Sequence, residues 1–144
     1  MIHEDTIKLM KECDSGIKMG VSAIEEVLPA VKSERLKEYL IECKKQHQFL
    51  ADELEVILNK YHDEGKNPNP MIQGMSWMKT NMKLMMDKSY ETIADLMTDV
   101  CNMGVKSLNK YLNEYKAAEE KVKDITKRLI NLEEKLAIDI RGYL

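Results

Sequence analysis

Cys13, Cys43, Cys101 and His47 are the residues of this chain best suited to chemistry. Cys43 and His47 are four positions apart, so a helix would carry thiol and imidazole on one face. Cys13, Cys43, His47 and Cys101 together offer four donors for a tetrahedral ion. Their sulfur would favour zinc or copper(I) over iron or magnesium. Cys13 with His47 suggests a second chemistry, a thiolate–imidazole pair for nucleophilic catalysis, although no oxyanion hole is recognisable. Packing competes with both. Reduced cysteine is among the most buried residue types and behaves as a small hydrophobe, and a core histidine often only satisfies a hydrogen bond. Packing is the preferred reading, with no cofactor, and a transition-metal site is the alternative. The three cysteines are odd in number, far apart and without a CxxC pair, which predicts free thiols and a reducing, cytoplasmic setting.

Other catalytic signatures are absent from the sequence. It has no phosphate loop, dinucleotide fingerprint, nucleophile elbow or His-Glu-x-x-His. His3 and His62 fall near an end and at a loop edge, where solvation is expected. The clusters Glu25-Glu26, Lys44-Lys45, Glu119-Glu120-Lys121 and Glu133-Glu134-Lys135 read as solvated helix faces. A net charge of -3 argues against a nucleic-acid partner. No apolar run approaches the ~20 residues of a membrane span. The polar start, Met1-Ile2-His3-Glu4-Asp5, does not read as a secretory or lipidation signal.

The elements that must position these residues are helices. The 144 residues predict one domain, 1–144, and only 6 Gly and 3 Pro interrupt it. Apolar stripes recur at three- and four-residue steps: Thr6, Met10, Cys13, Ile17, Gly20, Ile24, Val27; then Leu36, Leu40, Cys43, His47, Leu50, Leu54, Ile57, Tyr61. The same period carries Met97, Cys101, Gly104, Leu108, Tyr111, and finally Val122, Ile125, Leu129, Leu132, Leu136, Ile140. Pro29 closes the first helix and Ser33 caps the second. Asn59 to Pro70 reads as a loop. Asn69-Pro70 would start a Met-rich helix with Met71, Met75, Met78, Met82 and Met85 on one face, and Asp87-Lys88-Ser89 would cap the next.

From Ser89 to the end, one helix of ~80 Å would overhang its neighbours at 1.5 Å per residue. A turn near Lys116-Ala117 instead gives helices of similar length. The predicted layout is two antiparallel hairpins joined by a long crossover. In that layout Cys13, Cys43 and Cys101 fall within ~6–8 Å of axial height.

Glu12, Glu42, the crossover segment Gly74-Met75-Ser76-Trp77-Met78-Lys79 and the helix pair after Ser89 make the chain resemble the ferritin-like superfamily, specifically bacterial ferritin-like domains distantly similar to rubrerythrin. The resemblance implies an all-α, ferritin-like four-helix bundle with the Met-rich helix in the crossover. In di-iron members of that superfamily, ligands come from a Glu on two helices and Glu-x-x-His on the other two. Glu12 and Glu42 are the positions the resemblance offers. Lys45 stands three after Glu42 where His would be required, and the last helix has no His. The expectation is therefore a bundle without a complete di-iron set, acting as a binding or structural module rather than an enzyme. It is expected to form a homo-oligomer, with the Met75, Met78, Met82 and Met85 face as a candidate interface. The alternatives are a protein binding zinc, copper(I) or residual iron, or a rubrerythrin-type oxidoreductase.

Overall fold

A computed structural model describes residues 1–66 and 90–144. Among these residues the chain is all-helical. Helix α1 spans Ile2–Val27, α2 spans Glu34–Lys60, α3 spans Tyr90–Glu114 and α4 spans Glu120–Ile140, with short 3-10 turns at Leu28–Ala30 and Arg141–Tyr143. The expected Met-rich helix and the Asn69 and Ser89 caps lie outside the described residues.

Local chemistry sets the boundaries. Pro29 sits in the 3-10 turn after α1, where its missing N–H and fixed φ are tolerated. Ser33 then caps α2, its hydroxyl accepting from the Leu36 amide at 3.3 Å. Residues 115–119 break the helix between α3 and α4, so the C-terminal part of the chain is two helices and not one long one. No Gly or Pro makes this break; α1 holds it. Asp5 accepts from the Ala117 amide at 3.0 Å, and the Thr6 hydroxyl accepts from the Glu119 amide at 2.9 Å. Side chains from the first turns of α1 thus satisfy amides that the turn and the start of α4 leave open.

Helix α1 packs against α2 and α3, and α4 packs against the same two; α1 and α4 also meet across the bundle. Two apolar clusters fix the directions. One joins the C-terminal half of α1 (Ala23, Ile24, Val27) to the start of α2 (Leu36, Leu40), the start of α3 (Ile93, Met97) and the end of α4 (Leu136, Ile140). The other joins Leu9, Met10 and Ile17 of α1 to Leu50 and Leu54 of α2, Leu108 of α3 and Val122 to Leu129 of α4. Helices α2 and α3 therefore run in the same direction, and each is antiparallel to both α1 and α4. The bundle is two antiparallel hairpins, and α2 ends at the opposite end of the bundle from the start of α3. Each fully buried Leu or Ile in these clusters contributes roughly 1.5–3 kcal/mol relative to exposure.

The chain leaves α2 under restraint. Gly65, at φ 80°, donates its amide to Asp63 at 2.8 Å. The Lys66 amide then donates to Asp14 of α1 at 3.0 Å, and the Lys66 ammonium pairs with Glu12 at 2.5 Å. Lys18 completes the Asp14 carboxylate at 2.7 Å.

Candidate functional site

Between the two apolar clusters lies a buried polar group built from α2, α3 and α4. His47 is 1% exposed and Glu133 is 4% exposed. Nε2 of His47 lies 3.0 Å from Oε1 of Glu133. Nδ1 of the same ring lies 2.8 Å from the Cys43 carbonyl oxygen and 3.6 Å from the Cys43 sulfur. A carbonyl oxygen only accepts, so Nδ1 carries a hydrogen and donates it. One further proton sits between Nε2 and the carboxylate.

The surroundings place that proton on the ring. Burial opposes the imidazolium, but the hydrogen bonds at Cys43 and Glu133 and the Glu133 charge outweigh it. The His47 pKa is pushed up to about 10. The result is an ion pair across the core with both ring nitrogens engaged.

The two nearby thiols sit at opposite ends of this pair. Cys43 faces the cationic ring. Cys101 interacts with the Glu133 carboxylate, and burial together with that negative charge holds its thiol well above the usual range. Cys13 is elsewhere: it packs in the cluster with Leu50, Leu54 and Leu129, and burial pushes its thiol up to about 12 against an opposing hydrogen bond with Thr126.

The backbone makes room for the pair at Gly20 of α1. A Cβ there would lie 2.5 Å from His47 Nε2 and 3.2 Å from Glu133 Oε1. Gly104 of α3 faces the Glu133 carboxyl carbon with ordinary clearance, 3.6 Å from a built Cβ. Beside them, a pocket between α1 and α3 reaches Glu133, with a volume of about 20 Å³, room for little more than one water.

The structure divides the expected site residues. It brings together Cys43, His47 and Cys101. It leaves Cys13 in the other cluster: His47 stands level with Gly20 of α1, seven positions beyond Cys13 and roughly 10 Å along the helix, so the expected common height of the three cysteines does not hold. Glu12 is bound to Lys66 rather than to the core group. Glu42 is on the exposed surface of α2, accepting from Gln46 at 2.9 Å. Among the described residues, no three His, Cys, Asp or Glu side chains form a group able to hold a metal ion. The donor chemistry agrees: with Nδ1 and Nε2 both engaged, His47 presents no lone pair to a metal as arranged. The residues as placed do not fit the metal that a ferritin-like layout implies.

Glu133 departs from the expectation set by its charged neighbours. The run Glu133-Glu134-Lys135 reads as a solvated face, yet Glu133 is buried. Its signal is in the spacing: Glu133 stands four after Leu129 and three before Leu136, both buried, in the stripe that continues to Ile140. Like His47 in its own stripe, it is the polar member of an apolar series.

Comparison of the chain with family models, curated proteins and solved structures finds no match. Among the described residues, no helix is long and apolar enough to cross a membrane.

Proposed function

We propose that this chain is a ferritin-like bundle that serves as a cytoplasmic, self-associating binding or structural module, with an ion pair at its centre instead of a di-iron site. The observation that carries this reading is the closed bonding of His47: one ring nitrogen on the Cys43 carbonyl, the other on Glu133. Such a centre supports the fold and leaves no open position for a metal or substrate. The shared direction of α2 and α3 supports the ferritin-like layout. Free Cys13, Cys43 and Cys101 fit a reducing compartment.

The test is elemental analysis of protein purified without added metal, alongside light scattering and melting with and without chelator. The expected result is substoichiometric metal, an unchanged melt and a mass that is a multiple of one chain. Stoichiometric zinc, copper or iron would overturn the ion-pair centre in favour of a metal protein or a rubrerythrin-type oxidoreductase. A monomer at all concentrations would overturn self-association.

A further inference from the structure

We draw no further inference here: the strongest candidate, the pair of adjoining clefts between α2 and α4 that share Gln46, Leu132 and Lys135 and are flanked by exposed Phe49, is an unpartnered face, and nothing in the structure shows what covers it.

Discussion

Gly20 of α1 and His47 of α2 approach so closely that a methyl group on Gly20 would stand 2.5 Å from the imidazole Nε2. That is well inside van der Waals contact, and the ring it meets is held by hydrogen bonds at both nitrogens. Gly20→Ala is therefore expected to destabilise the bundle by about 1–3 kcal/mol, the range for forced overpacking. This outweighs the gain of about 1 kcal/mol that alanine ordinarily brings to a helix interior. Gly104→Ala is the control: its added carbon meets Glu133 at ordinary distance, so it is expected to be neutral or to stabilise by up to about 1 kcal/mol. Urea unfolding of both variants makes the comparison.

Breaking the ion pair from one side should cost more than removing it. Glu133→Leu leaves an engaged, buried imidazole without its carboxylate, and His47→Leu leaves the buried carboxylate alone. Each is expected to cost about 3–5 kcal/mol. The double variant His47→Leu, Glu133→Leu replaces the pair with apolar volume and should recover most of that loss. A double variant as unstable as the sum of the singles would show that the two residues act independently.

The same pair makes stability depend on pH. The folded His47 pKa is about 10 against an ordinary 6.5, so between these values the folded chain binds more protons than the unfolded one. Stability from this group is fully present below about pH 6.5 and is lost as pH rises through about 10. The melting temperature of the wild type should fall progressively from pH 6.5 to 10. The variant carrying both His47→Leu and Glu133→Leu should lack this component. Direct titration by NMR should find the wild-type ring still cationic at pH 8.

Glu133→Gln isolates the electrostatic part. The amide can still donate to Nε2 of a neutral ring, but the charge that offset burial is gone. Burial then dominates, and the His47 pKa should drop below its ordinary value. Imidazole chemical shifts across pH 4–9 would show it; a ring still cationic at pH 8 would assign the raised pKa to Cys43 instead.

The exit from α2 gives a separate prediction. Gly65 has φ 80°, and an added Cβ would run into the Asp14 carboxylate. Gly65→Ala should destabilise by roughly 1–3 kcal/mol through backbone strain and displacement of Asp14. Hydrogen exchange at the Lys66 amide, which donates to Asp14, should accelerate in the same variant.

The helices and their inward stripes are legible in the chain alone. Spacing places Ile17, Ile24, Leu40, Leu54, Cys101 and Leu129 inside, because apolar side chains at three- and four-residue steps share one helix face whatever the fold around them. Ser33 announces the start of α2 for an equally local reason, a side-chain oxygen within reach of its own helix amides.

What the stripes bring together depends on how the helices pack. The turn at residues 115–119 is capped by Asp5 and Thr6 from the other end of the chain, so no local residue marks it. Cys13 and Cys43 each obey the helical period, yet they belong to different clusters, since how far along one another α1 and α2 are set is decided by packing and not by the period of either helix. Glu133 is the sharpest case. In sequence it is one of three consecutive charged residues, and helical charge runs normally face water. In the fold it meets an imidazole 86 positions away. Burying a carboxylate is tolerable only where a partner charge waits, and a partner on another helix is visible only once the helices are packed.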